Sequence, residues 1–245
     1  QEILVQAGVP KGVVQVLTGG PEVGKKLVAD IRTKLVVFTG SDKSGAAVGS
    51  AAAAHFAPAA LELGGKSAQL VFADADLTAA LDGVVEGITG SCGQMCIAGS
   101  RLFIQESIAE QFISQIKVRF ENLVVGDPRE SSTQVGPQVT KLQAMKTFNY
   151  IEIAKKEGGQ VIASAKVPNG AALANGFYVP PTAFIGLPNS SAVVQEEIFG
   201  PVLSIATFKD EADAIAKAHD SEFGLAAGVW TTDISRAHRV ASELR

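Results

Sequence analysis

Several things are scarce in this sequence. Two cysteines in 245 residues cannot staple a domain of this size, which excludes a disulfide scaffold and points to a reducing, cytoplasmic setting. The three histidines and two cysteines show no zinc-ligand spacing, so no metal site is expected. Lys plus Arg is 21 against 25 Asp plus Glu, a formal charge of -4. Without a basic excess, nothing speaks for nucleic acid or an anionic membrane surface as partner. The longest uncharged stretch, Ser44 to Leu61, is mostly Ala and Gly with His55 and Pro58 inside it. It is too weakly apolar for a membrane span. No secretory n-region or h-region opens the sequence. Internal repeats and low-complexity linkers are missing as well.

What is present suits a folded chain: 47% of residues are apolar and 19% charged, enough to bury a large core. Short apolar runs alternate with helical patterns. Val13 to Leu17, Leu35 to Phe38 and Ala60 to Leu63 read as strands, with helices at Glu22 to Ile31 and Lys43 to His55. Strands alternating with helices imply a parallel sheet with crossovers, so residues 1–64 read as the tail of a doubly wound domain. Residues 65–245 continue the alternation as a second α/β domain. Strands are expected at Ala68 to Phe72, Arg101 to Gln105, Val202 to Phe208 and Ala227 to Thr231. Helices are expected at Asp76 to Ile88, Ser107 to Glu121, Lys141 to Lys156, Asp210 to His219 and Ser235 to Leu244. In the second helix Ile108, Phe112 and Ile116 fall on one face. Gln1 and Arg245 both lie inside helical patterns, which reads as a piece of a longer protein.

The chemistry-bearing residues come in three groups. Cys96 lies among small residues, Ser91-Cys92-Gly93-Gln94-Met95-Cys96-Ile97-Ala98-Gly99-Ser100, near the start of a segment that could be helical. A helix dipole there would lower a thiol pKa; the alternative is a buried, inert cysteine. Cys92 is not at the Cys-x-x-Cys redox spacing and reads as structural. Glu62 ends an apolar strand, in Leu61-Glu62-Leu63-Gly64-Gly65-Lys66. It is either at the ligand-binding edge of a sheet or salt-bridged, with Lys66 as a candidate partner. Burial would suit it to a general-base role. Glu196-Glu197-Ile198-Phe199-Gly200-Pro201 offers an acceptor and a flat apolar face, suited to ribose hydroxyls and a nicotinamide ring, or else is a solvated charge pair before a strand. For phosphate, Gly19 to Lys26 nearly fits a P-loop, but Lys26 replaces the required Ser or Thr. Phe38-Thr39-Gly40-Ser41 is the better candidate: a strand end, a glycine and a hydroxyl at a helix N-cap.

Taken together and in this order, these segments resemble the aldehyde dehydrogenase superfamily. The matching pieces are Phe38-Thr39-Gly40-Ser41, Leu61-Glu62-Leu63-Gly64-Gly65-Lys66, Gly93-Gln94-Met95-Cys96 with Ala98-Gly99-Ser100-Arg101, Gly126-Asp127-Pro128, Gly136-Pro137, Gly176 to Thr182 and Glu197-Ile198-Phe199-Gly200-Pro201. The resemblance covers essentially the whole chain. It implies residues 1–64 as the C-terminal part of a Rossmann-like dinucleotide-binding domain and residues 65–245 as a thiol-bearing catalytic α/β domain. It further implies Cys96 as nucleophile toward an aldehyde, a thiohemiacetal and thioester intermediate, and Glu62 as the base that activates the hydrolytic water. Gly40, Ser41, Leu63, Gly64, Glu197 and Phe199 would hold NAD or NADP, and Met95 and Ile97 would line the aldehyde tunnel. A homodimer or homotetramer is inherited with the family.

Departures matter too. The family's oxyanion-hole Asn, its ribose-contacting Lys and its C-terminal strand are not in this sequence, so the 245-residue piece alone is expected to be inactive or nearly so. The rival readings are a CoA-acylating semialdehyde dehydrogenase, which needs no hydrolytic base, a catalytically inactive relative of the same fold, and a P-loop NTPase.

Overall fold

A computed structural model describes residues 1–167, 173 and 175–244. The chain divides into two units, Gln1–Leu63 and Gly64–Arg245, each with its own core.

The first unit holds α1 (Glu2–Gln6), α2 (Pro21–Ala29), β1 (Val36–Thr39), α3 (Asp42–Ala53) and β2 (Ala59–Glu62). β1 and β2 pair in parallel, from Val36 opposite Ala59 to Thr39 opposite Glu62, and α3 crosses between them. Parallel strands require such a crossover. Two sequence features start the helices. Pro21 takes the first helical position of α2, where its missing N–H costs nothing. Ser41 caps α3 by accepting the Ser44 N–H at 3.3 Å. Val36, Ala52 and Ala57 are buried, with Val28, Phe38 and Val48 around them. The Val13 to Leu17 run is not a strand: it carries no regular structure, and Val13, Val16 and Leu17 are exposed. β-branched residues favour extended chain, but a strand exists only with a partner, and among the described residues β1 and β2 pair only with each other in their sheet.

The second unit carries a six-stranded sheet in the order β5-β6-β7-β4-β3-β8. Its strands are β3 (Ala68–Val71), β4 (Arg101–Gln105), β5 (Gln160–Ser164), β6 (Thr182–Ile185), β7 (Val202–Phe208) and β8 (Ala227–Trp230). All neighbours are parallel except β5, an antiparallel edge strand on β6. The helices are α4 (Leu77–Thr89), α5 (Ala109–Glu121), α6 (Lys141–Lys156), α7 (Ala192–Gln195), α8 (Glu211–His219) and α9 (Ile234–Glu243). Covered on both faces, β3 and β4 are apolar apart from Gln69, Arg101 and Gln105, and Leu70, Val71, Leu102 and Ile104 are fully buried, as suits parallel strands. α5 turns Phe112, Ile116 and Phe120, at a spacing of four, into the same core. Asp76 starts α4 by accepting the N–H groups of Thr78 and Ala79 at 3.0 and 3.1 Å. β5, β6 and α7 carry no periodicity that marks them in the sequence. The first two are short, and β6 follows Pro180-Pro181. Among the described residues no helix is long and apolar enough to cross a membrane.

Candidate functional site

The segment around Cys96 is built by backbone strain and held by a neighbouring loop. After α4 a short 3-10 turn covers Gly90–Gly93, within which Ser91 (φ 48°) and Cys92 (φ 59°) are left-handed. Such φ values are costly for residues with side chains and persist only when surroundings impose them. Here residues 136–139 do so. The Cys92 thiol donates to the Gly136 carbonyl at 3.2 Å, Gln138 Nε2 donates to the Cys92 carbonyl at 3.0 Å, and Gln94 Oε1 accepts the Val139 N–H at 3.0 Å. Burial pushes the Cys92 thiol up from its ordinary pKa, against a lowering pull from Gly136.

Cys96 is not at a helix start. It sits, half-buried, in a tight turn closed by the Ala98 N–H on the Met95 carbonyl at 3.1 Å. β4 begins at Arg101, and its pairing with β3 leaves no length for a helix, so the segment of Cys96 supplies no helix dipole of its own. The flanking residues diverge. Met95 packs inward on the core beside Cys92, whereas Ile97 is 54% exposed.

Across from this turn lies the Glu197–Phe199 segment, between α7 and β7. Ile198 is buried and Phe199 has φ 60°. α6 holds the segment by its backbone. Gln143 Nε2 donates to the carbonyls of Ile198 and Phe199 at 3.0 and 2.8 Å, and Lys146 Nζ donates to that of Glu197 at 2.8 Å. The Glu197 carboxylate is half-buried and accepts the Gly65 N–H at 3.2 Å. Next to it, Tyr150 donates its hydroxyl to Glu196; burial and that carboxylate raise the phenol's pKa. The space enclosed among Gly65, Gly93, Met95, Glu197, Phe199 and their neighbours is about 10 Å³, room for one water at most. Thiol turn and carboxylate segment are therefore packed against each other.

Lys66 departs most from expectation. It is buried, and among the described residues its ammonium has no hydrogen-bond partner, so it is not the salt-bridge partner that the sequence offered for Glu62. Burial, with Arg101 nearby, lowers its pKa to about 7. Arg101, also buried, spends its guanidinium on three carbonyls: Lys66 at 2.8 Å, Lys217 at 3.1 Å and Ala218 at 2.8 Å. It thereby ties the start of β4 to the C-terminal end of α8.

Of the remaining candidates, Gly64 opens the second unit, and Gly40, Ser41, Glu62 and Leu63 lie in the first. Glu62 closes β2 with an exposed side chain rather than a buried one, and its carbonyl accepts the Gly40 N–H at 3.0 Å. Gly40 has the Phe38 ring 2.5 Å from where a Cβ would be, and Leu63 rests on Gly45 of α3. Ser41 is the N-cap of α3, as the sequence predicts. Among the described residues, no group of His, Cys, Asp and Glu gathers as metal ligands. Sequence reasoning missed Gln143 and Lys146. Their partners lie 55, 56 and 51 residues away, and no local pattern marks them.

A family profile described as "Aldehyde dehydrogenase family" matches residues 1–245. Betaine aldehyde dehydrogenase of Sinorhizobium fredii is 43% identical over 243 residues, 99% of this chain and 50% of that protein. Among solved structures, a putative aldehyde dehydrogenase from Burkholderia cenocepacia superposes with a TM-score of 0.96 at 38% identity, over 100% of this chain and 51% of the other. Betaine aldehyde dehydrogenase from Staphylococcus aureus, solved in complex with NAD+, gives 0.94 at 35% identity, over 99% and 48%. The chain thus spans about half the length of the curated relatives it matches.

Proposed function

The chain belongs to the aldehyde dehydrogenase family, and from that premise we propose that it carries the nucleophile and the hydrolytic base of an NAD-dependent oxidation of an aldehyde to a carboxylic acid. The observation that carries this reading is the half-exposed Cys96 turn, packed against a segment that presents the Glu197 carboxylate. A thiol suits such a reaction because it is both a good nucleophile and a good leaving group, so one hard oxidation is split into two easier steps.

A nicotinamide dinucleotide is assigned to these residues on their chemistry. Glu197 offers carboxylate oxygens to a pair of ribose hydroxyls. Gly64 and Gly65 leave bare backbone beside it, where a Cβ on Gly64 would lie 2.9 Å from Glu197 Oε2. The capped start of α3 at Ser41 offers N–H groups to a diphosphate. Phe199 supplies an apolar face, and Gly40 and Leu63 complete the set. The bound dinucleotide supplies a hydride acceptor, and the Staphylococcus aureus relative's complex favours NAD+.

Each protein group then has a task. The Cys96 sulfur bonds to the aldehyde carbon, and the backbone N–H of Cys96 donates to the oxyanion that forms. Loss of hydride from that carbon leaves a thioester on Cys96. Glu62 takes a proton from water, the water oxygen bonds to the acyl carbon, and the thiolate departs, leaving a carboxylic acid. Met95 and Ile97 are assigned to the aldehyde's approach. Two free cysteines suit a reducing, cytoplasmic setting, and self-association follows the family.

The native protein tests the reading with betaine aldehyde beside a neutral aldehyde of similar size. Cys96→Ser should lower NAD reduction by roughly 10³-fold or more. Glu62→Gln should trap an acyl-enzyme visible by mass. Turnover surviving Cys96→Ser would overturn the proposal. Full release of acyl product from Glu62→Gln by added CoA, with none by water in the wild type, would establish the CoA-acylating reading instead.

A further inference from the structure

The geometry points to the Gly64–Gly65 pair as the positioning element that fixes the thiol turn and the Glu197 carboxylate relative to each other. This rests on the proposed roles of Cys96 and Glu197 and adds to them a reason why two glycines stand between Leu63 and Lys66.

Glycine can be required by conformation or by space, and here it is space. Neither residue is among the positive-φ glycines, so an alanine could adopt the same backbone. At Gly65, however, a Cβ would lie 2.3 Å from the Cys96 carbonyl oxygen, 3.4 Å from its carbonyl carbon and 3.4 Å from Leu225 Cβ. The first of these is backbone and cannot swing away, so the turn itself would have to move. The same residue donates its N–H to Glu197 Oε1 at 3.2 Å. One peptide unit therefore touches the thiol turn on one side and the carboxylate on the other. At Gly64 the obstacle is different: the three atoms nearest a Cβ are the Glu197 carboxylate, Oε2 at 2.9 Å, Cδ at 3.1 Å and Oε1 at 3.2 Å. That is the end of a side chain, which can shift. A second pin lies nearby, where a Cβ on Gly93 would lie 2.4 Å from the Gly200 carbonyl carbon. The two segments thus meet with no atom to spare, and Gly65 sets their separation.

The two glycines predict two different phenotypes in the native protein. Gly65→Ala should change the rate of Cys96 alkylation by iodoacetamide, lower kcat and raise KM for NAD, each by roughly tenfold or more, because displacing a reacting group by a fraction of an ångström is costly. Gly64→Ala should raise KM for NAD several-fold while Cys96 alkylates at close to the wild-type rate. Gly159→Ala is the control: its Cβ would meet Leu187 Cδ2 and the Ala154 carbonyl, both at 2.8 Å, so it should lower Tm and leave both kinetic readouts intact. A folded Gly65→Ala with wild-type alkylation and KM overturns the inference, as does the same kinetic loss in Gly159→Ala. If Gly65→Ala does not fold, Gly64→Ala decides, and an unchanged KM for NAD overturns it. Because alkylation needs no aldehyde, its dependence on Gly65 stands apart from turnover surviving Cys96→Ser, which would sink only the functional reading.

Discussion

Two cysteines four residues apart live in different surroundings. The Cys92 thiol is spent on the Gly136 carbonyl and its pKa is raised by burial, so the thiolate that alkylation requires is scarce. Cys96 stands half-buried in its tight turn, where no such hydrogen bond of its thiol is found among the described residues. Iodoacetamide should therefore label Cys96 well before Cys92, as peptide mass mapping over time would show; equal rates would mean that the turn does not present its sulfur. Lys66 makes a second prediction at this scale. Its pKa falls from 10.5 unfolded to about 7 folded. Between those values unfolding takes up a proton, so stability rises with pH across that window, and below it the buried charge is carried at full cost. Lys66→Met should accordingly raise Tm at pH 6.5, and the gain should shrink steadily toward pH 10. A gain that is flat with pH would mean that the ammonium is solvated.

Helices and loops show which interactions act locally and which act at long range. Asp76 caps α4 from one residue before it, and Asp76→Ala should cost about 1 kcal/mol in a denaturant titration. Gln143 reaches across to the carbonyls of Ile198 and Phe199. Gln143→Leu leaves both carbonyls without that donor and frees Phe199 from φ 60°. We expect a stability loss of about 1–3 kcal/mol and a several-fold rise in KM for NAD, read by denaturant titration and initial rates. This contrast explains what the sequence reveals. The Asp76 cap, the Phe112–Ile116 spacing and the glycine stops are local signals, and they place α4, α5 and α6 within a residue or two. The apolar runs of β3, β4 and β7 are legible because both faces are buried. Val13 to Leu17 misleads because a strand is defined by its neighbour, which no local pattern names. β5 and β6 hide for the converse reason: they are short and weakly patterned, and their pairing makes them strands. Among the proposed site residues, motif spacing singles out Cys96, Glu62 and Glu197. It does not reveal that Cys96 lies in a turn, that Lys66 is unpaired or that α6 holds the carboxylate segment, because each depends on residues far along the chain.

At the scale of the molecule, the two units are unequal. The first buries Val36, Ala52 and Ala57 and leaves Ile3, Val13, Val16, Leu17, Ile31, Leu35 and Val37 largely exposed. The second buries three clusters, including Phe112, Phe120, Phe184 and Phe208. Opening free energy follows buried apolar contact. Amide hydrogen exchange should therefore be faster in β1 and β2 than in β3 and β4, by orders of magnitude; matched protection would show that the first unit borrows stability from elsewhere.

The sheet order sets a timetable for synthesis. β3 is flanked by β4, the next strand along the chain, and by β8, whose residues lie about 160 further on (Ala68 opposite Ala227). At ribosomal rates of 5–20 residues per second, one edge of β3 waits roughly 10–30 s for its neighbour. Throughout that interval the nascent chain displays an unpaired, largely apolar strand edge, the feature most prone to pair with a stranger. The most vulnerable moment of this sheet therefore falls on the ribosome, before β8 emerges.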